Sequence, residues 1–377
     1  MSTSPASIVI PEALLPADGR FGCGPSKVRP EAVAALAEAG ATLLGTSHRQ
    51  APVRAMVGRV RDGLSALLSL PDGYEILLGN GGSTAFWDIA TFGLIEAQSQ
   101  HLVFGEFSSK FAEAASAAPH LLDPEVISVP AGSHPSSVGR PGIDVYALTH
   151  NETSTGVAMP LHRPAGADNS ALVVVDATSA AGGIAFDATE TDVYYFAPQK
   201  CFAADGGLWV AAVSPRAIER IERIATSGRW IPAFFSLTTA LENSRLNQTY
   251  NTPSVATLHL FASQVQWLLA GGGMPFAAGR SAASAATLYA WAERTGYTNP
   301  FVIDPSQRSP VVGTIDLDPE IKYADVCAAL RANGVVDVDP YRKLGRNQIR
   351  VGMFPAVDPA DVVALTHCVD YVVSALS

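Results

Sequence analysis

Two residues near the middle of the chain could do chemistry together. Lys200 closes the apolar, strand-length run Asp192 to Gln199 and opens into Cys201-Phe202-Ala203-Ala204-Asp205-Gly206-Gly207, a turn of small residues where an amine can be held against a ligand. Asp176 closes a second such run, Ala171 to Val175, and is followed by Ala177-Thr178-Ser179-Ala180. A lysine that can form a Schiff base and an acid that can keep a pyridine nitrogen protonated are the pair that pyridoxal phosphate needs. Taken singly, Lys200 reads as a solvated side chain and Asp176 as a helix N-cap. The pair in matching strand-end contexts favours the cofactor.

A phosphate cradle lies upstream. Gly79-Asn80-Gly81-Gly82-Ser83-Thr84 follows a short strand and precedes a helix, so free N–H groups of a first helical turn would point at an anion. The same stretch nearly matches the dinucleotide fingerprint, with Thr84 where the third glycine belongs and Glu106 as a candidate ribose acid. A nicotinamide-dependent dehydrogenase is therefore the competing reading, but it leaves Asp176 and Lys200 unused. A Walker loop is excluded, because no Gly-Lys-Ser/Thr follows. Gly45-Thr46-Ser47-His48-Arg49-Gln50 is a polar loop carrying two further anion-binding side chains, and His150 to Gly156 is another polar loop after a strand.

These loops need elements to hold them. Helices are expected at Glu31 to Ala39, bounded by Pro30 and Gly40, at Val53 to Leu70, Ala85 to Glu96, Lys110 to Ala118 after a turn at Glu106 to Ser109, and Pro215 to Ile224. Strands are expected at Tyr74 to Leu78, His101 to Gly105, Val126 to Val129, Val145 to Thr149 and Leu208 to Val213. Their alternation implies a mainly parallel, helix-covered sheet. A long helix follows Asn251-Thr252-Pro253-Ser254. Gly271-Gly272-Gly273 is the strongest linker-like break, placing a domain boundary there. Beyond it, helices at Ala282 to Thr295, Tyr323 to Asn333 and Pro359 to Leu376 alternate with strands at Val311 to Leu317, Val335 to Val338 and Ile349 to Gly352.

At 377 residues and 48% hydrophobic content, the chain suits a large domain and a smaller one. Its net charge of -10 disfavours nucleic acid and anionic membranes as partners. The four scattered cysteines signal neither a metal site nor a disulfide framework and fit a reducing cytoplasm. Met1 to Pro16 lacks an export signal, and no apolar run is expected to approach the length of a membrane span.

With these pieces laid out, the chain resembles the phosphoserine aminotransferase branch of the class V, fold-type I pyridoxal-phosphate enzymes. The resemblance runs from about Phe21 to the C-terminus. It rests on Phe21-Gly22-Cys23-Gly24-Pro25-Ser26-Lys27, Ser47-His48-Arg49, Asn151-Glu152-Thr153, Gln199-Lys200 and Asn251-Thr252-Pro253-Ser254. It implies an α/β fold: a large domain over 20-272 built on a mainly parallel seven-stranded sheet, and a small α+β domain over 273-377 joined by segment 1-19. It implies that Lys200 carries pyridoxal phosphate, Asp176 pairs with its ring nitrogen, and Gly82, Ser83 and Gln199 hold its phosphate, with Thr84 a weaker candidate. Phe107 would stack on the ring, and Thr153 would bond the ring hydroxyl. Asn251 and Thr252 would reach a neighbouring subunit's cofactor, making a homodimer with shared sites. His48 and Arg49 would meet the phosphate or side-chain carboxylate of substrate, Arg350 the α-carboxylate, and Arg342, Lys343 or Arg346 would add a cation. The activity implied is transfer of the amino group from glutamate to 3-phosphohydroxypyruvate, giving phosphoserine and 2-oxoglutarate, in serine biosynthesis. 4-Phosphohydroxythreonine, from pyridoxine biosynthesis, carries the same phosphate and is a second candidate substrate. A serine- or alanine-glyoxylate aminotransferase of the same class is the alternative, although it has no need of His48 and Arg49 as a dianion clamp.

Overall fold

A computed structural model describes residues 4–376; Met1 to Thr3 of the N-terminal stretch, and Ser377 at the end of the expected small domain, lie outside it. The first part of the chain runs α1 (Pro30–Leu43), α2 (Ala51–Leu67), β1 (Glu75–Asn80), α3 (Ser83–Gly93), β2 (Ser99–Val103), α4 (Glu106–Ala117), β3 (Glu125–Ser128) and β4 (Val145–Thr149). A two-strand hairpin follows, β5 (Asn151–Glu152) with β6 (Val157–Ala158), then β7 (Leu172–Asp176), β8 (Val193–Phe196), β9 (Leu208–Val213), α5 (Pro215–Ala225), α6 (Leu237–Arg245) and α7 (Val255–Ala270).

Seven strands form one sheet in the order β1-β9-β8-β7-β4-β2-β3. It is parallel except for β9, which runs antiparallel to both β1 and β8. The central strands are apolar on both faces because both faces are covered, as parallel sheets require. Val57, Val60, Leu64, Leu258 and Phe261 of α2 and α7 pack on one face, and Phe86, Ile89 and Ile221 of α3 and α5 on the other. Asp176 is the last residue of β7, and Lys200 follows the neighbouring β8, so both sit at the carboxyl edge where such sheets collect ligands.

The second part comprises α8 (Met274–Arg294), β10 (Thr298–Pro300), β11 (Val312–Leu317), α9 (Tyr323–Ala332), β12 (Gln348–Gly352) and α10 (Pro359–Leu376). Its three antiparallel strands, ordered β10-β11-β12, share a separate core with α8, α9, α10 and the N-terminal residues Ile8, Ile10 and Phe21.

Several expectations need correction. Gly40 does not end α1: the helix runs on to Leu43, the Gly40 carbonyl accepts from the Leu44 N–H, and Gly45 takes the left-handed turn at φ 81°. Glu106 to Ser109 is not a turn but the start of α4, because the distant Glu152 carboxylate caps its first N–H groups. α8 starts at Met274 rather than Ala282, with Gly273 at φ 72° before it and Pro275 in its first turn. Val335 to Val338 is not a strand: Val336 makes a single bridge to Arg20. The loop expected from His150 to Gly156 contains β5, which pairs with β6 just beyond it. Finally, α10 is long and apolar enough to span a membrane, by length and composition alone. Its Val362, Leu365, Cys368, Val369 and Val372 are instead buried in the second core.

Candidate active site

The carboxyl edge opens into a cavity of about 400 Å³ whose lining includes Gly82, Ser83, Thr84, Phe107, Thr153, Asp176, Gln199 and Lys200. Asp176 is held from three directions. Its Oδ1 accepts from the Thr178 N–H (2.9 Å) and the Thr178 hydroxyl (2.6 Å), and its Oδ2 from the Trp87 indole N–H (3.2 Å). The N-cap-like contact at Thr178 is thus present, and it fixes the carboxylate as part of the cavity wall.

Lys200 is 7% exposed. Its Nζ donates to Thr153 Oγ1 at 3.0 Å and lies 5.3 Å from the centroid of the Phe107 ring. Burial pushes its ammonium down to about 8; nearby Cys23 opposes that shift and Arg350 adds to it. Gly24 lies against the same side chain: at φ 141°, a β-carbon there would stand 2.6 Å from Lys200 Cε. Only glycine leaves the lysine stem this path.

Also lining the cavity, Gly82 (φ 77°) precedes the first turn of α3, where N–H groups have no carbonyl within the helix to bond. With the Thr178 proton committed to Asp176, Ser83 Oγ donates to Thr178 Oγ1 at 2.7 Å, so the cradle is tied to the turn that fixes Asp176. Two oxygens on lining residues, Asn151 Oδ1 and Gln199 Oε1, are buried without a partner among the described residues. A helix N-terminus for an anion, a carboxylate, an amine, an aromatic ring and unmatched polar atoms fit a flat heterocycle with an anionic arm.

Other expected residues lie elsewhere. His48, Arg49, Asn251 and Thr252 are absent from the cavity lining. They form a cluster in which His48 Nδ1 meets Thr252 Oγ1 at 3.2 Å, Arg49 donates to Gln248 Oε1 at 2.9 Å, and Asn80 Nδ2 donates to the Thr252 carbonyl at 2.9 Å. Burial and the adjacent Arg49 lower the pKa of His48. Arg350 lies outside the lining but touches a lining residue, its Nη1 donating to the Thr153 carbonyl at 3.2 Å and its guanidinium lying 5.2 Å from the Tyr341 ring centroid. Arg342 is exposed, Lys343 pairs with Glu106, and Arg346 pairs with Asp316.

Sequence reasoning gave no role to Trp87, Thr178 or Ser179, and it quoted Gly24 and Glu152 only as members of their motifs. Thr178 and Ser179 sit beside Asp176, where hydroxyls after a strand-end acid were a usable signal. Trp87 meets Asp176 from 89 residues away, and only the fold brings them together.

Residues 127–338 match the aminotransferase class-V family, and the chain belongs to that family. More particularly, it is 62% identical to the phosphoserine aminotransferase of a Nocardioides species, covering 98% of this chain and 99% of that one. Among solved structures, the phosphoserine aminotransferase of Cytophaga hutchinsonii matches with a TM-score of 0.86 at 25% identity, over 94% of this chain and 99% of that one. The fold is shared with the pyridoxal-phosphate-bound phosphoserine aminotransferase of Trichomonas vaginalis, at a TM-score of 0.78 and 18% identity, over 94% and 99%.

Proposed function

We infer that this chain is a phosphoserine aminotransferase that uses pyridoxal phosphate to move the amino group of glutamate onto 3-phosphohydroxypyruvate, giving phosphoserine and 2-oxoglutarate. The observation that carries the reading is Asp176 and Lys200 lining one cavity, in a chain similar over nearly its whole length to an enzyme of that name.

Pyridoxal phosphate, when bound, supplies an aldehyde for the amine and an electron sink for the bond that breaks. The residues supply the rest. At a pKa of about 8, Lys200 is uncharged in a useful fraction of molecules near neutral pH, so its Nζ can attack a carbonyl carbon. Once free, the same Nζ can take the proton from the substrate α-carbon and hand it on. Asp176, fixed by Thr178 and Trp87, would face a protonated ring nitrogen and stabilise that charge. Gly82, Ser83 and Gln199 would hold the phosphate arm, and Phe107 would cover the ring. Arg350 would fork onto the α-carboxylate.

The His48, Arg49, Asn251 and Thr252 cluster would complete the cavity of a second subunit in a homodimer with shared sites. Its place outside its own cavity supports that reading. The buried, unpaired cysteines support a reducing cytoplasmic location. We also take the two cores as two domains meeting near Gly273.

The deciding experiment assays glutamate with 3-phosphohydroxypyruvate and with unphosphorylated hydroxypyruvate side by side, and maps borohydride-fixed cofactor by mass spectrometry. Label on Lys200 and a strong preference for the phosphorylated acceptor are expected. A colourless protein that takes up no pyridoxal phosphate would overturn the cofactor assignment, and equal rates on the two acceptors would overturn the substrate assignment.

A further inference from the structure

We propose that Ser179 is a positioning residue that locks the Thr153 hydroxyl into accepting, and never donating, hydrogen bonds on its cavity side. Ser179 and Thr153 are 1% and 4% exposed, so water does not compete for their hydroxyls. Ser179 Oγ is 3.0 Å from the Asn151 backbone carbonyl, which can only accept, so the single Ser179 proton goes there. The Asn151 amide donates to Ser179 Oγ at 2.8 Å. Thr153 Oγ1 is also 2.8 Å from Ser179 Oγ and, with the Ser179 proton committed, must be the donor in that contact. Its own proton is then spent, and its lone pairs alone face the Lys200 Nζ at 3.0 Å.

The consequence rests on the pyridoxal-phosphate reading above. In that cofactor the ring hydroxyl is ortho to the aldehyde, so a group touching Nζ also neighbours the ring oxygen. A donor there stabilises the anionic oxygen most when the nitrogen joining Lys200 to the cofactor has lost its proton, and so lowers that nitrogen's pKa. A Thr153 that cannot donate leaves the pKa high and keeps the linkage protonated, the form an incoming amine attacks. Ser179 therefore sets a protonation state without touching the reacting atoms.

The test is a spectrophotometric pH titration of the cofactor band in the holoenzyme, run for wild type, Ser179→Ala, Thr153→Val and the double variant. Ser179→Ala frees the Thr153 proton to turn into the cavity and should lower the band's apparent pKa by about one unit. In the Thr153→Val background the same substitution should produce no shift, because no hydroxyl remains to reorient. An unchanged pKa in Ser179→Ala, or an equal shift in both backgrounds, would overturn the proposal in favour of a structural role. If Ser179→Ala does not fold, Ser179→Cys, a far weaker hydrogen-bonding partner, carries the same expectation. A wild-type protein with no cofactor absorption band at any pH would instead overturn the cofactor reading, which keeps the two failures apart.

Discussion

The cavity wall and the cluster at His48 and Arg49 are built on opposite principles. In the wall, Asp176, Lys200 and Thr153 are nearly inaccessible, and their hydrogen-bond partners lie within the same cavity. In the cluster, Arg49, Asn251 and Thr252 are exposed, and Arg49 is steadied by Gln248, from the segment joining α6 to α7. Groups that must change charge or move a proton are set in place before any ligand arrives, since errors there cost rate directly. Arg49, which under the proposed function would accept dianions of two shapes, is left adjustable, while His48 beside it is buried.

The sharpest way to break this contrast is Lys200→Ala, which should cut transamination by roughly 10^4-fold and abolish borohydride labelling, read by steady-state assay and peptide mapping. Retained labelling would move the chemistry away from the wall. The next effect is on stability. The unfolded chain binds a proton at Lys200 up to a pKa of about 10.4, whereas the folded chain does so only up to about 8. Between those values the unfolded state holds more protons, so stability rises with pH, and the cost of burying the ammonium is in full force below the folded value. Cofactor-free Lys200→Met should accordingly be more stable than wild type by roughly 3 kcal/mol near neutral pH, with the gap shrinking as pH climbs toward 10 in urea melts.

On the other side of the comparison, Arg49→Ala should raise the KM for glutamate and for phosphoserine together by about 30-fold while leaving the cofactor spectrum untouched, the cost of one charge-assisted contact. A normal KM for both would reduce the cluster to a structural role. The smallest effect is expected for Trp87→Phe, which removes one donor from Asp176 and should lower kcat by about fivefold, measured by single-turnover kinetics.

What the sequence made legible follows from distance along the chain. β4 and α10 have the ends their apolar patterns announce, Val145–Thr149 and Pro359–Leu376, because those patterns stop where the elements stop. Asp176 was readable for the same reason, closing an apolar strand, and Lys200 because it sits in the turn just after one. The start of α4 was not, since its cap is Glu152, a residue some 45 positions later whose carboxylate is buried and bonded to Phe107, Ser108 and Ser154. Nor was the fate of Val336, whose partner is Arg20 at the far end of the chain. Periodicity reports which face is buried, not which distant group will meet it.

The path of the first two dozen residues bears on how the protein folds. Phe21 is pinned by Val336 and Gly352, its N–H donating to the former's carbonyl and its own carbonyl accepting from the latter's N–H, while three residues on Gly24 flanks the Lys200 stem. Segment 21–24 thus settles only once partners more than 300 positions further along the chain are in place. Until that later stretch has folded, nothing holds Gly24 against the Lys200 stem, so the walls around this amine are completed late in folding rather than at its start.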